Sequence, residues 1–517
     1  MLAAFLAVLA ASAVLRAGIA SLPLERDEGE YAYIARAWRD GGVPYRDAFD
    51  QKPPGVFLAY RALFAVGVES VEGIHWMAHA WLAAALVPVM GLGRRVGGAV
   101  AGCGAALAMA VLAMDSSVLG SAANTELFAL LPLGLGVALA CRRGGPVVAL
   151  AAGVCGGAAL LMKQVTLPIV LWPIGYLAVR PWPPGRAALG RAVAFAGGLA
   201  AVLATTALYF VGRGAWTETW DAVVGHNLAY ASSVPLWLYP HTLAIGGGPV
   251  AAAQWPWWVA ALGGVVIMGR EERRTLWPIA AWLATSALAV SAGGYFRPHY
   301  FMFLVPPVAL LGVAGMAALA RRLAGERHRA ALTAAATLLA VAWPVGLHST
   351  YFRARSPELV SRELYPYQPF AESVLAAEWI RRSSAEDETV FVYGSEPQIL
   401  FHAGRRSASR YIILYPVYAR AADAGQRQAE VVEELERTPP RVVVVVLNTA
   451  SLGPEPLLPR LLETRLRALL ARDYVPAAAT VVGPEGLARL LEPRGGSDPR
   501  LIAETGDRPS LLLFRRR

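Results

Sequence analysis

The chain has 517 residues, of which 56% are hydrophobic and 16% charged, and its mean hydropathy is +0.44. This composition excludes an ordinary soluble protein and indicates an integral membrane protein with room for one globular domain. The formal net charge of +10 would suit a nucleic-acid partner, but the arginines occur in pairs at the ends of apolar segments rather than in one patch. We therefore expect no nucleic acid and attribute the basic balance to membrane topology.

Eleven apolar segments are predicted to be spanning helices, because each is near the length that a bilayer requires. They lie at 1–20, 74–92, 97–114, 123–141, 146–162, 165–179, 192–211, 249–268, 275–292, 299–320 and 330–347. Fourteen arginines fall in alternate connections between them, at Arg94, Arg95, Arg142, Arg143, Arg180, Arg186, Arg191, Arg270, Arg273, Arg274, Arg321, Arg322, Arg327 and Arg329. The positive-inside rule makes these connections cytoplasmic. The first outer loop (21–73) and the C-terminal tail are then expected to be extracytoplasmic, in a multi-pass protein of the inner or plasma membrane.

The first outer loop contains a charge-dense stretch from Leu24 to Gly55. After Asp27, apolar residues recur at helical spacing and predict an amphipathic helix that would lie along the membrane surface. A Pro-Pro pair opens a second predicted helix, whose free N-terminal amides beside Lys52 suit a phosphate. Simpler roles fit the same pattern: Asp27 with Glu30 matches a capping box, and Lys52 could reach lipid headgroups.

This loop resembles the first extracytoplasmic loop of the GT-C glycosyltransferases that use polyprenyl-phosphate sugars, of the protein O-mannosyltransferase and aminoarabinose-transferase type. In that family an Asp-Glu pair begins the loop and a Lys-Pro-Pro follows; here these are Asp27-Glu28 and Lys52-Pro53-Pro54. The resemblance covers roughly residues 20–320. It implies a polytopic α-helical GT-C-like fold of about 11 transmembrane helices, with residues 1–347 forming the catalytic membrane domain.

Three further segments resemble parts of this family. Glu126, at the start of the fourth apolar helix, stands where the family commonly has aspartate, and helix capping by its neighbours is an alternative. Lys163 occupies a turn similar to the family's Thr-Lys-Gly turn, and it is one of only two lysines in the chain. Arg297 and His299 belong to a segment that resembles the family's Arg/His-Tyr segment and would supply a second cation to the donor phosphate, with a headgroup anchor as the alternative.

Residues 348–517 change to short apolar strands alternating with charged helices, which predicts an extracytoplasmic α/β domain. Strands are predicted at 390–393, 411–414, 441–448, 479–482 and 511–514, and helices near 369–382, 421–437 and 455–471. The run from Val442 to Val446 is apolar on both faces, as in a buried parallel strand.

The first functional hypothesis is an inverting glycosyltransferase, a hexosyl or pentosyl transferase that moves a sugar from a polyprenyl-phosphate donor to an acceptor hydroxyl on a lipid, glycan or protein. Asp27 is the expected base, and Glu28 and Glu126 would orient the acceptor or a cation. The donor phosphate would be bound by Lys52, Lys163, Arg297 and His299, and Tyr31 would contact substrate. The use of a divalent cation as cofactor is left open, because acidic pairs serve both metal-dependent and metal-independent members of the family that this chain resembles. A transporter or flippase of lipid-linked saccharides and a non-catalytic lipid-binding scaffold are the alternatives.

Overall fold

The computed structural model of the chain describes residues 1–142, 144–179, 185–271, 273–353, 356–418, 423–453, 460–493 and 507–517. Two of the predicted cytoplasmic arginines, Arg143 and Arg180, lie outside these ranges. The N-terminal part is helical, and its helices are α1 Leu2–Ile19, α2 Arg26–Arg39, α3 Gly55–Ala65, α4 Val71–Ala113, α5 Thr125–Ala140, α6 Pro146–Met162, α7 Leu167–Val179, α8 Arg186–Gly212, α9 Trp216–Trp220, α10 His226–Ala231, α11 Tyr239–Glu271, α12 Arg273–Ser291, α13 Val305–Leu323 and α14 Glu326–Leu347. A 3₁₀ segment, Pro298–Leu304, leads into α13.

Seven helical stretches within the described residues are long and apolar enough to cross a bilayer: Leu2–Ile19, Val71–Ala113, Arg186–Gly212, Leu236–Gly269, Leu276–Gly294, Pro298–Leu323 and Glu326–Leu347. Four shorter apolar helices accompany them, at Gly55–Ala65, Thr125–Ala140, Pro146–Met162 and Gln164–Ala178. Every predicted apolar segment is helical, and the protein is a polytopic helical membrane protein. The segments predicted at 74–92 and 97–114 are joined in α4, whose backbone leaves helical geometry at Gly97 and Gly98.

The predicted helix after Asp27 is α2, but it does not lie free along a membrane surface. Its N-cap is Glu25, whose backbone N–H donates to Glu28 Oε2 at 3.1 Å, so the capping acid is Glu28 rather than Glu30. One side of α2 packs on α3, and Gly29 on another side lies directly against the backbone of Gln398 in the C-terminal region. The helix is therefore enclosed by protein on two sides.

The C-terminal region combines helices with one mixed five-stranded sheet, which confirms the predicted α/β class. Its elements are α15 Ser349–Arg353, α16 Pro357–Leu364, α17 Phe370–Ser383, β1 Val390–Tyr393, α18 Gln398–Ala403, α19 Tyr415–Tyr418, α20 Ala424–Arg437, β2 Val442–Val446, α21 Leu461–Asp473, β3 Tyr474–Val482, β4 Ala488–Leu491 and β5 Arg508–Arg516. The strand order is β1-β2-β5-β3-β4, in which β1 and β2 are parallel and the other pairs antiparallel. The run at β2 is buried, as predicted, and Val442 pairs with Val390 on one side and Arg515 on the other.

Two details of this region differ from the prediction. Residues 411–414 form no strand; they dock against the first loop, where the Phe49 N–H donates to the Arg410 carbonyl at 2.8 Å and the Phe49 and Tyr411 rings lie 5.5 Å apart. Strand β4 was not predicted because its sequence, Ala-Arg-Leu-Leu, lacks β-branched residues and clear alternation. The start of the helix predicted at 455–471 lies outside the described residues, and α21 begins at Leu461.

Candidate active site

Lys52 lies at the centre of a cluster of carboxylates from the first loop. Its Nζ is 2.7 Å from Glu30 Oε2, 3.4 Å from Asp27 Oδ1 and 3.6 Å from Asp50 Oδ1. Helix α2 supplies Asp27 and Glu30, which are three residues apart and so share one face of the helix. Asp50 also accepts a hydrogen bond from the Lys52 N–H at 3.0 Å, which fixes the turn before α3. Three carboxylates therefore balance the positive charge of the Lys52 ammonium group.

A second cluster forms where α5, the turn after α6 and the 3₁₀ segment before α13 meet. Lys163 Nζ forms an ion pair with Glu126 Oε1, and His299 Nε2 is 3.8 Å from the same oxygen. Lys163 Nζ also stands over the Tyr300 ring, 4.2 Å from its centroid. The fold thus brings together Glu126, Lys163 and His299, which are widely separated in sequence.

Residues of both clusters affect the pKa of one carboxylate, that of Asp27. Burial opposes ionisation of this group, but nearby cations, with Lys52 first among them, lower the pKa of Asp27 to about 2. His299 and Lys163 contribute to the same lowering. The Asp27 side chain is 29% exposed, whereas those of Glu30 and Asp50 are at most 1% exposed. Among the acids around Lys52, Asp27 is the one that an incoming molecule can reach.

Glu30 and Asp50 form a buried acid pair beside Lys52. Burial raises the pKa of Asp50 to about 6, and the charge and the backbone N–H of Lys52 partly offset that rise. Burial, followed by the charge of Asp50, also raises the pKa of Glu30 well above its ordinary value. A pair in this state holds a proton more readily than two separate carboxylates, so it can adjust the charge around Lys52.

Glu28 occupies a position that differs from the predicted contact with acceptor or cation. Its side chain is 2% exposed, and Oε1 accepts from the Ala123 N–H at 2.7 Å and lies 3.0 Å from His75 Nε2. Oε2 accepts from the Glu25 N–H. Since protein groups occupy both oxygens, Glu28 joins α2 to α4 and to the segment before α5 instead of facing substrate.

Tyr31 and Arg297 differ in their exposure. Tyr31 is 1% exposed, and Lys52 Nζ lies 5.2 Å from its ring centroid, so the ring makes a cation–π contact with the ammonium group. Arg297 is exposed and stands over the ring of Tyr295, 5.6 Å from its centroid. No carboxylate in the described part of the chain pairs with Arg297, which leaves its guanidinium available to an anion.

The N-terminus of α3, where a phosphate site is predicted, packs closely on α6. Gly55 and Val56 are buried, and a Cβ atom on Gly55 would lie 2.5 Å from the Leu161 carbonyl oxygen at the end of α6. This contact fixes the position of α3, and with it that of Lys52 just before the helix.

Sequence reasoning missed Glu30 and Asp50 as members of the site, although a signal was present for both. Glu30 follows Asp27 at a spacing that places both on one helix face, and Asp50 stands two residues before Lys52. Arg16 was missed as well: it is buried in the last turn of α1, and its guanidinium donates to the carbonyls of Ser121 at 2.7 Å and Gly120 at 3.2 Å. This contact holds the segment that leads to Glu126.

Comparisons with known proteins identify the fold of this chain. No protein-family model and no curated protein sequence matches the chain. The crystal structure of ArnT from Cupriavidus metallidurans bound to undecaprenyl phosphate is similar over 98% of this chain and 97% of that one, with a TM-score of 0.60 and 15% identity. The chain has the GT-C fold. The apo structure of ArnT matches this chain with a TM-score of 0.59 and 15% identity, over the same shares of the two chains.

A second GT-C protein is also similar to this chain. The archaeal oligosaccharyltransferase AglB from Archaeoglobus fulgidus, in complex with an inhibitory peptide and a dolichol-phosphate, matches over 98% of this chain and 76% of its own, with a TM-score of 0.48 and 13% identity. Within the described residues of this chain, no group of three or more histidine, cysteine, aspartate and glutamate side chains is arranged to hold a metal ion. The acids around Asp27 instead have lysines as neighbours.

Proposed function

We propose that the protein is an inverting glycosyltransferase that moves a sugar from a polyprenyl-phosphate donor to an acceptor hydroxyl. The hydroxyl oxygen attacks the anomeric carbon from the side opposite the phosphate, and the bond from that carbon to the phosphate oxygen breaks. Asp27 takes the hydroxyl proton, and the polyprenyl phosphate leaves with the bonding electrons. One displacement inverts the anomeric centre, and the phosphate leaves without a general acid once cations neutralise its charge.

The observation that carries this proposal is the placement of Asp27, an accessible carboxylate between two lysine-containing clusters. A base must lie close to the hydroxyl, while cations must lie close to the leaving phosphate, and the two must share one site. The cations that keep Asp27 ionised also make it a weak base before the donor binds. A donor phosphate that draws on Lys52 and Lys163 would raise the pKa of Asp27 and strengthen it as a base.

The cations differ in how readily they can bind the donor phosphate. Arg297 is exposed and unpaired among the described residues, so it is the first guanidinium that an anion meets. Lys52 must exchange carboxylates for phosphate, and protonation of the Glu30 and Asp50 pair would release it for that contact. His299 and Lys163 belong to the second cluster, where both face Glu126 Oε1, and they would bind the phosphate from there.

The donor class is supported by the fold that this chain shares with ArnT, whose crystal structure holds undecaprenyl phosphate. The likeness offers no support for the transporter alternative. The proposal includes a hexose or a pentose as the transferred sugar. It includes a lipid, a glycan or a protein as the acceptor, and the same transfer assay tests each of them. The alternation of arginines supports a reaction on the outer face of the inner or plasma membrane.

The test is sugar transfer by purified Asp27→Asn protein at matched donor occupancy. General-base catalysis is worth about 10²- to 10⁴-fold in rate, so the variant should lose that much activity while still binding the donor. Asp40→Asn, at the exposed end of the same helix, is the matched control and should transfer sugar at the wild-type rate. Near wild-type activity of Asp27→Asn would overturn the mechanism.

A further inference from the structure

Arg26, the residue before Asp27, connects the first loop to the C-terminal region. Its guanidinium lies 2.5 Å from Glu396 Oε1 and donates to Gln368 Oε1 at 2.7 Å and to the Ser395 carbonyl. It also stands over the Tyr415 ring, 5.2 Å from the centroid. All of these partners lie more than 340 positions further along the chain. One arginine therefore gathers side chains and backbone from several parts of the C-terminal region.

The acid in this ion pair is held in a fixed place. Glu396 has a side chain that is 0% exposed; Ser451 Oγ donates to Oε1 at 2.8 Å, and Gln398 Nε2 donates to Oε2 at 2.7 Å. A buried carboxylate with these donors has little freedom to follow Arg26 if α2 moves. The pair thus fixes the position of the residue next to Asp27.

The next turns of α2 are docked on the same region. A Cβ atom at Gly29 would lie 2.4–2.5 Å from the Cβ, Cα and N atoms of Gln398, so only glycine allows α18 this close. One turn later, Tyr33 Oη accepts a hydrogen bond from the Ser407 N–H at 2.8 Å. After that, Arg36 donates to the Phe401 carbonyl at 2.6 Å. The contacts follow the helix along most of its length.

We propose that the C-terminal α/β region is a positioning half of the active site, which holds α2, and with it Asp27, through the Arg26–Glu396 pair and the close packing at Gly29. Arg26 and Glu396 are positioning residues rather than catalytic ones. This inference rests on the proposed function for its kinetic consequence, whereas the docking of α2 can be tested without any substrate.

The first test separates positioning from donor binding. Glu396→Gln leaves the shape of the side chain but removes the charge, so α2 should become less firmly held. We expect kcat to fall about tenfold to 10²-fold while KM for the polyprenyl-phosphate sugar stays within about twofold, because small displacements of a catalytic group cost this much. Glu492→Gln, which breaks an exposed ion pair with Arg382 in the same region, is the control and should retain the wild-type kcat.

The second test is a pH profile, which separates positioning from a direct electrostatic effect on Asp27. Lys52, His299, Lys163 and Arg26 all act to lower the pKa of Asp27, and Arg26 has the smallest of these effects. Arg26→Gln should therefore lower kcat by the same factor at pH 5 and at pH 7, whereas a larger loss at pH 5 would assign Arg26 a direct effect on the base and contradict positioning. Arg26→Lys keeps the charge and should retain the wild-type profile.

The third test uses hydrogen exchange in the full-length protein without substrate. In Glu396→Gln and in Gly29→Ala, the amides of residues 26–39 should exchange at least several-fold faster than in the wild type. Gly425→Ala, at a helical glycine with open space around its Cβ position, should leave them unchanged.

The outcomes distinguish a failure of this inference from a failure of the proposed function. If no polyprenyl-phosphate sugar is transferred by the wild type, faster exchange in the two variants still supports the docking of α2. Unchanged exchange in both variants overturns the inference, as does a wild-type kcat in Glu396→Gln. A combined rise in KM and fall in donor binding would assign the pair to the donor site and would also overturn it.

Discussion

Lys52 is surrounded by carboxylates and is also proposed to bind the donor phosphate. Its ammonium is 2.7 Å from Glu30 and has Asp27 and Asp50 close by, so carboxylates contact the group that is proposed to bind the phosphate. An ion pair that is largely buried costs desolvation energy, and that cost is recovered only when the geometry is satisfied. A phosphate that replaces these carboxylates must therefore offer at least as good a contact.

Lys52→Ala should weaken binding of the polyprenyl phosphate by about tenfold to 10²-fold, because a charge-assisted hydrogen bond contributes roughly 1.5–3 kcal/mol. Binding of undecaprenyl phosphate to the purified variant, measured by calorimetry in detergent, checks this. Arg46→Ala removes an exposed cation from the same loop and is the matched control. An unchanged affinity for Lys52→Ala would reduce this lysine to a partner of its acids.

Asp50 gives a prediction about stability and pH. Its pKa rises from 3.8 to about 6 in the folded protein, mainly through burial, so the folded state holds this proton more tightly than the unfolded state. The resulting stability is fully present below about pH 4 and is lost as pH rises through about 6. The melting temperature of the wild type should therefore fall between pH 5 and pH 7.5, and that fall should be smaller by roughly a few degrees in Asp50→Asn.

Asp47→Asn provides the control for this measurement. Asp47 belongs to the same loop, and its hydrogen bond with Arg46 lowers the pKa of its carboxyl, so it does not titrate between pH 5 and pH 7.5. Its variant should follow the wild-type pH dependence. If Asp50→Asn does the same, Asp50 is not the group that binds the proton.

At the scale of elements, helices α2 and α3 were both predicted from the sequence, but their surroundings were not. Hydrophobic periodicity identifies a helix and its apolar face, and it predicted α2 correctly. It cannot reveal that Gly29 on another side of α2 meets Gln398, because the partner is far away in sequence. The docked segment near Tyr411 was mistaken for a strand for the same reason: its apolar residues are buried against the first loop instead of in a sheet.

The site was likewise predicted in part: its residues were identified from the sequence, but not all of their partners were. Motifs drew attention to Asp27, Lys52, Glu126, Lys163 and His299, and the fold gathers these residues into two neighbouring clusters. The partners of Glu28 could not be predicted, because they come from α4 and from the segment before α5. Whether a loop acid faces the site or supports it is decided by such tertiary contacts.

The close contact between α3 and α6 leads to a prediction at this scale. Gly55→Ala places a methyl group 2.5 Å from a backbone oxygen that cannot rotate away, so one of the two helices must shift. We expect a loss of about 1–3 kcal/mol of stability, together with weaker donor binding because Lys52 lies just before α3. Gly91→Ala, in an exposed part of α4 with nothing near its Cβ position, should be neutral or slightly stabilising in the same thermal assay.

For the whole molecule, the contacts between residues 26–36 and 395–407 require the first loop and the C-terminal region to lie on the same side of the membrane. The alternation of arginines predicts that this side is extracytoplasmic. Reporter fusions after Arg143 and after Gln426 should therefore report opposite compartments. Two fusions that report one compartment would contradict the predicted topology.

The same contacts set an order of events during synthesis. The helix that carries Asp27 is synthesised well before the residues that hold it, which follow about 370 positions later. Until those residues have been translated, the side of α2 that they contact has no covering. A nascent chain that contains α2 but not residues 395–407 therefore lacks the contacts that hold this helix, and it gains them only after that region has been synthesised.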